Sequence, residues 1–203
     1  MIKALLFDLG NVLVDFDHTI AAKRISHFCD KNPEQIFELF FSSEITMLFE
    51  EGKISPRDFY IKVKEMLNLR LGYESFVPIW NEIFFLSAKN RAVYSLIEKT
   101  RGNYKIAMVT NINILHYEYL KKYFPVFNIF HDVFTSCELG AAKPKAQIYQ
   151  AILDSLDVRP EEAFYTDDRL ELVESANSLG IKGFVFTGVD DLKKDLFASG
   201  VTL

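Results

Sequence analysis

Cysteine is scarce in this chain of 203 residues: Cys29 and Cys137 are the only two, and they stand far apart. Their spacing excludes a zinc ribbon or a disulfide framework and leaves two free thiols, as expected in a reducing cytoplasm. Long apolar runs are lacking too, since none approaches the roughly 18 residues of a membrane-crossing helix. The apolar opening is cut by Asp8 and has no small-residue cleavage site, so it reads as a strand and not as a signal peptide. Basic blocks are absent: 23 Lys and Arg lie scattered against 28 Asp and Glu, for a net charge of −5. That balance argues against a nucleic-acid surface. There is no internal repeat, low-complexity tract or long linker. These absences point to a cytoplasmic globular protein, monomeric by default, with neither nucleic acid nor membrane as a partner. What is plentiful is bulk, since 19 Phe and 9 Tyr promise a large core.

Short apolar runs punctuate the chain: IKALLF (2–7), YKIAMV (104–109), DVFTS (132–136), AFYT (163–166) and GFVF (183–186). Such runs fit strands covered on both faces. Apolar helical faces stand between them: Val93, Leu96 and Ile97, then Ile148, Ala151 and Ile152, then Val173, Ala176 and Leu179, with Gly180 placed as a helix end. Strands alternating with helices predict an α/β protein with a parallel sheet. Residues 16 to about 86 break the rhythm and read as helical throughout. Asn32-Pro33 starts one helix with proline at its first position, and Ser55-Pro56 starts another. Phe59, Val63, Met66 and Leu67 supply the latter's buried stripe, while FELFF (37–41) and Trp80 read as core of this segment.

Ligands of a parallel α/β sheet bind at the carboxyl ends of its strands. The first strand ends in Asp8, the second in Thr110-Asn111, and the fourth in Asp167-Asp168. Lys143-Pro144 follows the third. One rim thus gathers three carboxylates, a hydroxyl, an amide and an ammonium. Converging carboxylates repel one another and need a cation. An all-oxygen donor set favours Mg²⁺, completed by waters and a substrate phosphate. Lysine, hydroxyl and amide can hold phosphoryl oxygens, and a carboxylate can itself be the nucleophile.

The ordered set FDLGNV, VTN, KP and TDDRLE resembles the four motifs of the haloacid dehalogenase-like (HAD) hydrolase superfamily. Within it, DLGNVLVDFD, FEEGKIS, TNIN with His116, and KPKAQIY look like bacterial sugar-phosphate phosphatases, including α-glucose-1-phosphate phosphatases. The resemblance implies a Rossmann-like five-stranded parallel sheet, ordered 5-4-1-2-3 and flanked by helices. Residues 1–15 and 87–203 would form that core domain, and residues 16–86 an inserted all-helical cap. It implies a Mg²⁺-dependent phosphatase acting on a small phosphate ester, a sugar phosphate by expectation. Asp8 would be the nucleophile that becomes an aspartyl phosphate. Thr110 would hold a phosphoryl oxygen, Asn111 the phosphoryl group or the substrate, and Lys143 would balance the charge of Asp8 and of the phosphoryl oxygens. The metal would rest on Asp8, the Gly10 carbonyl, Asp167 and Asp168, and His116 would reach the substrate.

The resemblance is imperfect at Gly10, where most phosphatases of the family carry an aspartate that works as acid and base. Asp15 is the expected stand-in, with Asp17 or water as alternatives; both acids could equally cap the next helix or face solvent. Glu171 stands where members often have Asp, and could join the metal or pair with Arg169 or Lys143. His18 could face the rim, as could Glu51 or Lys53 in a polar turn of the cap. Competing activities are a sugar phosphomutase or phosphotransferase, for which the missing acid/base is a handicap, and a haloacid dehalogenase, which needs no metal. A receiver domain has the wrong order of motifs, and a non-catalytic phosphate-binding protein is the remaining possibility.

Overall fold

The computed structural model describes residues 1–203 apart from the side chains of residues 41 and 42. Strand β1 (Ala4–Phe7) is wholly buried between two parallel neighbours, β4 (Lys105–Thr110) and β6 (Ala163–Asp167). Strands β5 (Asp132–Thr135) and β7 (Lys182–Val185) complete the sheet in the order β5-β4-β1-β6-β7. Numbered among these five alone, that is the expected 5-4-1-2-3. The side chains of β1 alternate as a two-faced strand requires. Leu5 and Phe7 pack with α6 (Ala88–Thr100), α7 (Ile114–Tyr123) and α11 (Val189–Ala198). Ala4 and Leu6 pack with α9 (Ala146–Leu156) and α10 (Leu170–Ser178) on the other face. A short α8 (Ser136–Leu139) begins where DVFTS was expected to end as strand.

Between β1 and α6 lie five helices: α1 (His18–Ser26), α2 (Pro33–Ser42), α3 (Glu44–Glu50), α4 (Pro56–Leu67) and α5 (Tyr73–Asn81). Asn32 caps α2 with a full capping box and Ser55 caps α4, as their sequences predict. These helices share an aromatic core of their own, in which Phe49 stacks on Phe59 and Trp80 meets Phe40, Phe59 and Phe76. Each buried ring of this kind contributes on the order of 2–3 kcal/mol. Phe40 and Trp80 are therefore core as expected, while the side chain of Phe41 lies outside the described residues. Two details differ from expectation. Met66 is exposed, because Phe59, Val63 and Leu67, joined by Tyr60, fill the inner face and leave it on the outer one. The segment is also not helical throughout: β2 (Asp15–Phe16) and β3 (Phe84–Phe85) pair antiparallel where the chain leaves the sheet and returns. Both cysteines are free. Among the described residues no helix is long and apolar enough to cross a membrane.

Candidate active site

Strand register builds the floor of the site. Phe7 pairs with Thr166, so the next residues, Asp8 and Asp167, stand level at the same rim. Thr110 ends β4 on the other side of β1. Lys143 closes the group from the loop before α9: its Nζ donates to Asp8 Oδ1 at 2.7 Å, Asp167 Oδ2 at 2.6 Å and the Val109 carbonyl at 3.0 Å. Tyr165 donates to the same Asp167 oxygen, and the Arg169 amide donates to the other at 3.0 Å. Oxygens of Asp8, Asp167 and Asp168 all lie within 4.8 Å of one another, the only such cluster among the described residues. An all-carboxylate set at this spacing fits a hard divalent cation.

Burial sets the electrostatics. Withdrawal from water outweighs the Lys143 ammonium at Asp8 and pushes its carboxyl up to about 7, helped by the negative charges of Asp167 and Asp168. Burial acts the same way on Asp167, but there Lys143 and Tyr165 prevail and the carboxyl is held below its ordinary range. Asp168 is raised by burial, although the Asn11 amide donates to it at 2.8 Å. Burial opposes the charge on Lys143, yet Asp8 and Asp167 hold its ammonium above the usual lysine range.

The segment after Asp8 turns sharply, with Asn11 at φ 54°, a conformation asparagine tolerates better than most residues. This turn aims the Asn11 amide at Asp168, and Lys89 of α6 donates to the Asn11 carbonyl at 2.5 Å. Gly10 is small for a local reason. A Cβ there would stand 2.8 Å from the Phe16 ring, so the place of a longer side chain is already taken.

The expected residues do not all converge. Asp8, Gly10, Thr110, Asn111, Lys143, Asp167 and Asp168 line one cavity of about 530 Å³, roofed by Phe16, Phe40, Trp80 and Phe84. Asp15 is not brought to it. Asp15 lines a neighbouring groove, where Lys89 at 2.7 Å and Asn90 at 3.1 Å donate to its carboxylate. Burial works against that charge, but the two donors hold the carboxyl below its ordinary range, so the acid/base expectation for Asp15 does not match its position. Asp17 caps α1 through the Thr19 amide, one of the roles left open for it. Asn111 is at the rim, but its amide group clasps the Lys143 backbone, accepting from the N–H and donating to the carbonyl, both at 2.8 Å. It positions the lysine. Asn113 caps α7.

His116 lines the cavity wall with both ring nitrogens engaged. Asn113 donates to Nδ1 at 3.0 Å, so Nε2 carries the proton and donates to the Trp80 carbonyl at 3.0 Å. Burial pushes its pKa down to about 3, and the neutral ring stacks on Trp80. It offers a substrate its edge and face only. His18 lines the same cavity, burial lowering its pKa to about 4. Glu171 is exposed and paired with Arg169, not with the acidic cluster. Glu51 and Lys53 pair with each other, and Glu51 also binds Lys145. Glu50, which the sequence reading passed over, lines the cavity in their place. Lys89, Asn11 and Tyr165 were missed as well. Only the adjacency of Glu50 to the Glu51-Gly52 turn hinted at it, and nothing local marks the others.

A family model described as haloacid dehalogenase-like hydrolase matches residues 2–180. A sesquiterpene phosphatase of Aspergillus oryzae is 26% identical over 91% of this chain and 90% of its own. A D-ribitol-5-phosphate phosphatase of Bacteroides thetaiotaomicron is 22% identical over 97% of each. A solved HAD-family enzyme from Bacteroides thetaiotaomicron, in complex with magnesium and inorganic phosphate, superposes with a TM-score of 0.80. It is 27% identical, over 91% of this chain and 94% of that one.

Proposed function

This chain belongs to the haloacid dehalogenase-like hydrolases, and from that premise we propose that it is a Mg²⁺-dependent phosphatase of small phosphorylated metabolites of the sugar- or polyol-phosphate class. The observation that carries the reading is the triad on the cavity floor, in which one buried ammonium is clamped between Asp8 and Asp167 with Asp168 beside them. Asp8 attacks phosphorus and forms an aspartyl phosphate as the ester P–O bond breaks and the alcohol leaves. Water then cleaves the acyl phosphate, which releases inorganic phosphate and restores the carboxylate. Lys143 balances charge on the phosphoryl oxygens, oriented by Asn111, and Thr110 donates its hydroxyl to one of them. Asp8, Asp167, Asp168 and the Gly10 carbonyl are the groups that would hold Mg²⁺, which supplies Lewis-acid stabilisation of the phosphoryl charge. Residues 16–86 serve as a cap over a core of residues 1–15 and 87–203 and keep bulk water from the site. The two free thiols fit a cytoplasmic home.

The D-ribitol-5-phosphate phosphatase and the magnesium–phosphate complex among its relatives support this reading. A panel of phosphate esters, assayed for released phosphate with Mg²⁺ and with EDTA, tests it. We expect turnover of alkyl phosphates that EDTA abolishes and that Asp8→Asn lowers by at least about 10³-fold with the fold intact. Near-normal phosphatase activity in Asp8→Asn would refute it.

A further inference from the structure

The carboxyl that position 10 lacks leaves a task undone. An alkyl alcohol is a poor leaving group and needs a proton as its bond to phosphorus breaks. Phe16 occupies the space beside Gly10, so this backbone does not admit a second carboxyl there unless the ring moves. Asp15 is held in the neighbouring groove by Lys89 and Asn90. His116 has both nitrogens bound, and Asp168 is held by Asn11. One further carboxyl lines the cavity: Glu50, at the end of α3.

We propose that Glu50, supplied by the helical layer, is the catalytic acid that protonates the leaving oxygen and the base that then activates water. The proposal rests on the phosphatase reading above. Its geometry is fixed by the turn that follows. Ser136 Oγ donates to the Glu50 carbonyl at 2.6 Å, which pins the end of α3 to the start of α8. The Glu51 carboxylate is drawn away from the cavity by Lys53 and Lys145. Gly52 lies flat on the Cys137 carbonyl. With its neighbour turned outward, Glu50 is left lining the cavity whose floor holds the acidic cluster.

The charged and titratable groups around it are few. Arg169 faces it from the segment between β6 and α10, and Glu51 adds like charge from its own turn. His18 and His116 line the same cavity as neutral rings, and Asp8, Lys143, Asp167 and Asp168 form its floor. Withdrawal from water raises the Glu50 carboxyl to about 7, against the pull of Arg169. A carboxyl of that kind can carry a proton at neutral pH and part with it. The step balances. As the P–O bond breaks, its electron pair goes to the leaving oxygen, which takes the Glu50 proton and departs as alcohol. The Glu50 carboxylate next takes a proton from the water whose oxygen attacks phosphorus, while the P–O bond to Asp8 breaks and its electron pair returns to the Asp8 carboxylate.

The test compares kcat/KM for p-nitrophenyl phosphate, whose leaving group needs no proton, with that for an alkyl phosphate from the panel, in wild type and Glu50→Gln. The expected result is a loss of about 10²–10³-fold for the alkyl ester and less than about threefold for the aryl ester. Wild type should also show a descending limb of kcat/KM near pH 7 with the alkyl ester that is missing with the aryl ester. Equal losses on both substrates, no loss on either, or a rise in KM alone would overturn the proposal. If the variant does not fold, the two wild-type profiles decide, and identical limbs overturn it. A wild type that releases no phosphate from any ester refutes the phosphatase reading instead, so the two failures are told apart.

Discussion

Gly52 offers a direct measure of how firmly the helical layer is fastened to the sheet. It follows Glu50, the last residue of α3, and Glu51, with φ 65°, and a Cβ placed on it would stand 2.2 Å from the Cys137 carbonyl oxygen. Alanine here meets two separate obstacles. The left-handed backbone costs an L-residue about 1–2 kcal/mol. The close approach is to backbone, which cannot swing aside, so relief requires the turn and α8 to part, at a further ~1–3 kcal/mol. Gly140 isolates the first term, since its φ is 70° and nothing stands within 4 Å of its would-be Cβ. Gly140→Ala should therefore cost about 1–2 kcal/mol, and Gly52→Ala roughly 2–5 kcal/mol. In a chain of this size each kcal/mol moves the melting temperature by about 2–4 °C, so the two variants separate in thermal and urea unfolding. Gly52→Ala should also lower kcat/KM, because Glu50 and Glu51 ride on the same turn. Equal destabilisation of the two variants, within about 0.5 kcal/mol, would refute the argument that this contact is felt.

Two further outcomes follow from the buried charges. Lys143→Met strands Asp8 and Asp167 together in the interior, at a cost of about 3–5 kcal/mol in urea unfolding. Because Lys143 holds Asp167 below the usual carboxylate range, its help is present above that range and disappears on acidification. The gap from wild type should hold from pH 8 down to the ordinary carboxylate range near 3.8 and shrink below it; a gap that grows on acidification would contradict the assignment. Lys89→Met frees the Asn11 carbonyl and so loosens the amide that holds Asp168. The Mg²⁺ concentration that half-saturates thermal stabilisation should rise about 10–100-fold, and an unchanged midpoint would show that Lys89 does not steady the metal ligand.

Much of the floor was legible because Asp8, Thr110 and Asp167 stand at the ends of apolar runs, and parallel pairing brings those ends to one rim. Asp8 and Asp167 become level through strand register alone, with no help from loops. The helices of residues 16–86 were legible where local chemistry marks their starts, at Asn32-Pro33 and Ser55-Pro56. What stayed hidden depends on partners distant in sequence. Asp15 reads as a free acid beside the nucleophile until Lys89, 74 residues later, claims it. Glu50 reads as one of two equivalent acids until Lys145 draws Glu51 aside. Asn111 reads as a substrate amide until the Lys143 backbone takes it. Two-residue strands such as β2 and β3 have no periodicity to detect, and Met66 was misplaced because an i+3 neighbour and an i+4 neighbour diverge on a helix whose inner face is already filled.

The arrangement of charge also explains why the floor favours a cation. Three carboxylates face a single ammonium, so the group carries surplus negative charge when all are ionised. Lys143 spends its hydrogen bonds on one oxygen each of Asp8 and Asp167 and on a carbonyl, with none left for Asp168. Burial, added to by the charges of Asp167 and Asp168, raises the Asp8 carboxyl to about 7 even with an ammonium 2.7 Å away. A nucleophile must be anionic, and an arriving phosphate ester adds further negative charge. A divalent cation set among Asp8, Asp167 and Asp168 answers both demands, lowering the Asp8 carboxyl and offsetting the ester. Metal-free protein should for this reason bind inorganic phosphate poorly: the surplus of carboxylate charge repels the anion more strongly than Lys143 and Arg169, the latter paired with Glu171, attract it.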